Sequence, residues 1–344
     1  MKKILCALLV LAMSLSCFFG CGTNKEKKEE GKIKIVTTIF PEYDWVMNVL
    51  GDKKDNADVT LLLDNGVDLH SYQPTADDIL KISNCDLFIY VGGESDDWVQ
   101  DVLKKADNKN MKVINLLDVL GDKAKEEEVI EGMQSDHEHE EGEEHEHDKD
   151  NEKEKAQVEN NKEEEKEIDE HVWLSLNNAK VLVNKIGSTL MEIDKSNKDT
   201  FKKNTQDYIK KLDKLNEKYK ETIKKANKKT LIFADRFPFR YMLDDYGLNY
   251  YAAFAGCSAE TEASFKTVSF LSKKVDELSI NYLITIEGSD KKLAKTIISN
   301  TKSKNQKVLT MDSMQSTTSK DIKEGKSYLD TMEKNLKVME KAVK

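Results

Sequence analysis

The sequence predicts an α/β protein of two Rossmann-like lobes joined by one long, rigid α-helix. Three observations predict it. Short apolar runs alternate with amphipathic stretches from residue 32 to residue 117, and do so again from residue 230 to the end. Strands alternating with helices argue parallel sheets flanked by helices. Between the two sets, residues 198–226 run without glycine or proline and carry Phe201, Tyr208, Ile209, Leu212, Leu215, Tyr219 and Ile223 as a narrow apolar stripe. At ~1.5 Å rise per residue that helix would reach roughly 43 Å, longer than a lobe is wide. The third is length: 344 residues suffice for two such domains.

In chain order, Lys2 and Lys3 precede the apolar run Ile4 to Phe19, which reads as a signal peptide over residues 1–20. Gly20-Cys21 at the end of that run resembles a bacterial lipobox. Cys21 is then the expected lipidation site, and residues 21–31 the tether of an anchored domain. No later stretch is apolar enough, for long enough, to span a bilayer. Cys6 and Cys17 would leave with the signal, while Cys85 and Cys257 remain. Cys85 precedes an apolar run and reads as a small core residue; a disulfide between the two has no support in the pattern.

The N-terminal lobe is expected over residues 32–197. Its strands are 32–39, 58–63, 87–91 and 112–117, with helices from Pro41 to Leu50, from near Pro74, and near 96–106. An acidic run then interrupts it. Residues 126–170 hold 22 acidic and 5 basic side chains, a net of −17 against −10 for the whole chain, so the acidity is local. With so few apolar residues, the insert 126–168 is expected to stay disordered without metal. Residues 177–193 form a helix by the spacing of Ala179, Leu182, Val183, Ile186, Leu190 and Ile193, and 194–197 break it. The linking helix 198–226 follows. The C-terminal lobe, 227–344, has strands at 230–234, 249–254, 280–286 and 307–311, and helices near 239–246, 263–278, 291–303 and 320–342.

Chemistry concentrates on histidine and acid. Five of the six histidines (His137, His139, His145, His147 and His171) lie in or at the end of the acidic run. His70 lies in a loop directly after the second strand, where clefts between α/β lobes take ligands. Two histidines at lobe-edge loops, with a separate histidine cluster, point to a metal cation. The acidic balance argues against nucleic acid. No H-E-x-x-H, G-x-S-x-G or Walker pattern supports an enzyme.

The segments D-L-H-S-Y-Q-P-T around His70 and D-E-H-V-W-L-S around His171 resemble two motifs of the zinc/manganese substrate-binding lipoproteins of bacterial ABC importers. Leu69 and Glu170 stand where the family usually has proline. The resemblance runs from about Ile33 to the C-terminus and takes in the linking helix and the His-rich loop. It implies a helical-backbone metal receptor, monomeric and lipid-anchored on the extracytoplasmic face of the membrane. Such a receptor holds one ion between its lobes and delivers it to a permease driven by an ATPase. His70 and His171 are then ligands. Asp312 matches a strand-end ligand aspartate. Glu287 matches another strand-end acid and is equally a salt-bridge partner for Arg236 or Arg240.

The third motif departs from the family. Arg236 falls where zinc-type members have histidine and manganese-type members glutamate. A guanidinium stays protonated and cannot ligate. Its repulsion of a dication at 5 Å would be about 6–7 kcal/mol at an effective dielectric of 20. Arg236 must therefore point away or be neutralised by carboxylates, with Asp235 or water completing the shell. Glu260 and Glu262 match a helix-capping acidic turn. Two imidazoles and the His-rich run favour Zn²⁺ over Mn²⁺, and His137, His139, His145 and His147 suit low-affinity capture. A manganese or iron receptor and a surface adhesion lipoprotein are the alternatives. A single stiff helix between the lobes implies little lobe movement on loading.

Overall fold

The computed structural model describes residues 31–134, 167–258 and 262–344. Residues 33–344 form one compact unit. Its first sheet is built from β1 (Ile33–Thr37), β2 (Ala57–Leu61), β3 (Leu87–Tyr90) and β4 (Lys112–Asn115), all parallel, in the order β2-β1-β3-β4. The second contains β5 (Thr230–Phe237), β6 (Asn249–Ala255), β7 (Tyr282–Ile286) and β8 (Lys307–Met311), again parallel, in the order β6-β5-β7-β8. The two lobes thus repeat one topology. In each, the strand order reverses beside the first strand, and the crevice outside the strands' carboxyl ends is the natural ligand site.

Local chemistry fixes the helices between the strands. Pro41 opens α1 (Phe40–Leu50), and Glu42 turns back onto the N–H groups of Thr38 and Ile39. Thr75 caps α2 (Ala76–Ser83), so this helix starts just after Pro74 rather than at it. α3 (Trp98–Lys105) follows β3. β4 stops at Asn115 because that side chain caps α4 (Leu116–Leu120). Ser175 caps α5 (Leu176–Ile193), and α6 (Lys198–Lys224) is the expected long helix at 27 residues. Its apolar stripe is buried against α1, α5 and the last helix, so it is a shared wall of the core rather than a free rod.

The second lobe carries α7 (Arg240–Tyr246), α8 (Phe265–Glu277) and α9 (Lys292–Ser299). The sequence suggests one helix over 320–342, but there are two: α10 (Ser319–Lys323) and α11 (Tyr328–Ala342). Gly325, at φ +92°, breaks the run and Ser327 caps the second piece. One large core joins the first lobe, the spine and the inner face of the second lobe, while a smaller cluster fills the outer face beneath α8 and α9. No helix among the described residues is long and apolar enough to cross a membrane.

Residues 126–134, expected to lack order, are ordered. Glu126 bridges to Ile168, and Gln134 bridges to Phe254 on the edge strand β6. Met133 is buried, and Ile130 packs on the core. These apolar residues tie the base of the insert to the second lobe.

Candidate metal centre

His70 sits on a single 3₁₀ turn, Leu69–Ser71, after β2. Asp68 caps that turn by accepting the His70 N–H at 3.1 Å, and buried Leu69 anchors it. The ring is thereby pushed into the crevice. Its Nδ1 lies 2.8 Å from Ser95 Oγ and 3.4 Å from Glu170 Oε2. Ser95 also donates its N–H to Glu170 Oε1 at 2.9 Å. This packing needs Gly93, at φ +81°, because a Cβ there would lie 2.7 Å from Glu170 Cγ.

His171 precedes another 3₁₀ turn, Val172–Leu174, whose three side chains are fully buried. Asp169 Oδ1 accepts both the His171 N–H and Nδ1, each at 2.9 Å. With Nδ1–H given to a carboxylate, the free lone pair of His171 is on Nε2. That atom faces His70 Nε2 at 3.2 Å. Asp169 and Glu170 are therefore supports that aim the rings, which is how metal-binding imidazoles are generally held.

The electrostatics agree. Burial alone would lower the His171 pKa, but Asp169, with Glu170 and Asp68 behind it, lifts it above its ordinary value. Burial would raise Asp68, yet Arg236 and His70 hold it below the usual carboxylate range. Burial would likewise raise Glu170, and hydrogen bonds from His70 and Ser95 bring it down. The site favours positive charge between the rings.

The other sequence candidates separate. Arg236 reaches across to Asp68 at 2.8 Å, so it is neutralised by a carboxylate of the opposite lobe. A register shift in β5 between Phe233 and Arg236 turns the strand at this point. Asp235 is turned toward the neighbouring strand β7: its oxygens accept from Arg236 N at 3.0 Å and Ile286 N at 3.3 Å. Glu287 pairs with neither arginine. Its carboxylate takes Ser313 N and Oγ at 2.7 Å and Gln315 N at 3.0 Å, shaping the loop after β8. Asp312 is ion-paired to Lys326 at 2.8 Å and accepts from Met314 N. His137, His139, His145, His147, Cys21 and Glu260 lie outside the described residues.

Among the described residues, the group whose donor atoms could converge on one ion is His70, His171 and Cys257, all within 4.8 Å of one another. The sequence reading left Cys257 without a role. A usable signal exists: Cys257 follows β6 as His70 follows β2, and these are equivalent strands of the repeated topology.

The sequence profile of the family described as "zinc-uptake complex component A, periplasmic" (ZnuA) matches residues 35–342. The chain belongs to this family. It is 33% identical over 340 residues to the zinc-binding lipoprotein AdcA of Streptococcus pneumoniae (strain ATCC BAA-255 / R6), covering 98% of this chain and 60% of that protein. The chain thus spans about 60% of the length of the first curated relatives it matches. The high-affinity zinc uptake system protein ZnuA of Bacillus subtilis (strain 168) is 30% identical over 333 residues, 96% of this chain and 94% of the relative. The crystal structure of the Zn(II)-bound ZnuA-like domain of S. pneumoniae AdcA superposes with a TM-score of 0.66 at 29% identity, covering 91% of this chain and 99% of that one. The two parallel sheets and the long helix of this ZnuA-family chain are those of that fold.

Proposed function

We propose that this chain is the extracytoplasmic substrate-binding component of a metal ABC importer. It binds one Zn²⁺ between its lobes at His70 and His171 and passes it to a membrane permease and its ATPase. It is a carrier rather than an enzyme, anchored by lipid at Cys21.

One observation carries this reading: two imidazole Nε2 atoms face each other at 3.2 Å, each ring held from behind at Nδ1. Two bare lone pairs at that distance repel unless a proton or a metal ion lies between them. Zinc bonded to imidazole at ~2.0–2.1 Å in a tetrahedron would set the nitrogens about 3.3 Å apart. Asp169 and Glu170 add negative charge behind the rings, over and above the Asp68–Arg236 pair, which favours a dication between them. Nitrogen donors suit zinc, whereas manganese would call for more oxygen. The names of the relatives from S. pneumoniae and B. subtilis support the same cargo. His137, His139, His145 and His147 would serve as loose capture sites that raise zinc concentration near the cleft.

Equilibrium dialysis with zinc and manganese in competition tests the reading on wild type, His70→Ala and His171→Ala. Wild type should hold one tight zinc, and each substitution should weaken it by about 100-fold or more. Unchanged affinity in either variant would remove that histidine from the site.

A further inference from the structure

We propose that Cys257 is the third protein ligand, making the cleft a His₂Cys site whose thiolate comes from the second lobe. This rests on the His70–His171 reading and adds to it the donor that selects the cargo. With two imidazoles alone, both from the first lobe, an ion would be held from one side. The structure brings one further soft donor to the same point: the sulfur of Cys257 lies within 4.8 Å of a ring nitrogen of each histidine. Zinc–thiolate bonds of ~2.3 Å and zinc–imidazole bonds of ~2.0–2.1 Å would require sulfur and nitrogen about 3.6 Å apart in a tetrahedron, so the ion can be met with a small side-chain adjustment.

The loop bearing Cys257 is built to bring it there. Gly256 lies against the His171 ring: a Cβ at that position would stand 3.0 Å from His171 Cε1 and 2.9 Å from the Phe237 carbonyl. No larger residue lets the strand end approach the imidazole so closely. The Cys257 N–H donates to Glu127 Oε1 at 3.0 Å, and the ordered base of the insert is fixed in turn by Gln134 on β6. Burial, with the carboxylates of Glu127, Asp169 and Glu170, pushes the Cys257 thiol well above its ordinary value, and a backbone hydrogen bond from Glu170 works only weakly against them. Meanwhile Arg236 is engaged by Asp68, and the carboxylates of Asp235, Glu287 and Asp312 are committed to backbone groups or a lysine.

Binding is balanced simply. The Cys257 S–H bond breaks, its proton leaves to solvent, and the sulfur lone pair forms the bond to the dication. No oxidant or reductant is involved. A His₂Cys donor set favours borderline and soft ions such as Zn²⁺ and Cd²⁺ over Mn²⁺.

The purified protein is loaded with Co²⁺ as a spectroscopic probe, and with Zn²⁺ for affinity. Wild type should show a near-ultraviolet thiolate-to-cobalt charge-transfer band that Cys257→Ser and Cys257→Ala both lack. Both variants should bind Zn²⁺ at least about tenfold more weakly, comparable to or beyond the 10–100-fold loss typical of an outer-shell partner. In unmutated protein, Zn²⁺ should protect Cys257 from alkylation, mapped by peptide mass spectrometry with buried Cys85 as the unreactive control. If cobalt and zinc bind tightly without the band, and Cys257 alkylates equally with and without zinc, Cys257 is a bystander and the two-histidine reading stands alone. If wild type binds neither ion, both fall.

Discussion

At the scale of single residues, buried acids decide how this protein responds to pH. Glu42 is fully buried at the start of α1, where one oxygen accepts from Thr38 N, Thr38 Oγ1 and Ile39 N. Burial, with the charge of Asp96 nearby, pushes its pKa up to about 8. Burial likewise pushes Asp96 to about 7 and Asp44 to about 6. A carboxyl raised above its unfolded value binds an extra proton in the folded state. Its stabilisation is complete below the unfolded value and is lost as pH rises through the folded one. The metal-free protein should therefore melt at progressively lower temperature from pH 5 to pH 8. Each such group contributes at most about 1.4 kcal/mol per pH unit. Glu42→Gln keeps an acceptor for the Thr38 and Ile39 N–H groups and removes the titration. Thermal melts across that range should be visibly flatter for the variant. Parallel slopes for variant and wild type would mean that Glu42 is already ionised throughout.

At the scale of elements, the spine depends on close approach. α6 packs along α5 where Gly187 meets Thr205: a Cβ on Gly187 would lie 3.0 Å from Thr205 Cβ and 2.9 Å from its Cγ2. Thr205 is buried and its hydroxyl is bonded to the Phe201 carbonyl, so it has little room to yield. Gly187→Ala should cost about 1–3 kcal/mol by overpacking, read from urea unfolding, and Thr205→Ala in the same chain should restore most of it. An additive double variant would show that the helices separate freely. The helix itself was legible, because a run of 27 residues with apolar side chains on one face admits few alternatives. The bulge in β5 was not, since it depends on tertiary fit, whereas the split of the last helix is written locally in Gly325 and the capping Ser327. Similarly, His70 and His171 announced themselves by residue type and loop position, but Cys257 becomes visible only once β6 is seen to occupy the place of β2. The acids Asp235, Glu287 and Asp312 stand at strand ends, and sequence could not tell that their oxygens are taken by the loops they shape.

At the scale of the whole molecule, the two sheets are joined by far more than the spine. Arg236 meets Asp68, Trp173 Nε1 donates to the Ser313 carbonyl at 2.9 Å, and Tyr328 donates to the Trp173 carbonyl at 2.7 Å. On one flank Ser319 bonds Asp64, and on the other Lys125 bonds Tyr241 while Gln134 joins β6. A hinge would have to break several of these at once, including the two buried bonds at Trp173. Wide closure on loading would therefore sacrifice these contacts, and the response to metal is expected to be local. Zinc should leave the radius of gyration unchanged in solution scattering. It should slow amide exchange chiefly in residues 64–72, 92–96, 169–175 and 256–258, the loops that carry or brace the three donors. At a free zinc concentration 100-fold above Kd, the folded state gains about 2.7 kcal/mol, and exchange through global opening would slow everywhere by a common factor. The expected signature is extra protection in those four loops above that uniform background. A contraction on loading, or extra protection spread along α6, would instead mean that the lobes close about the spine and that release proceeds by reopening them.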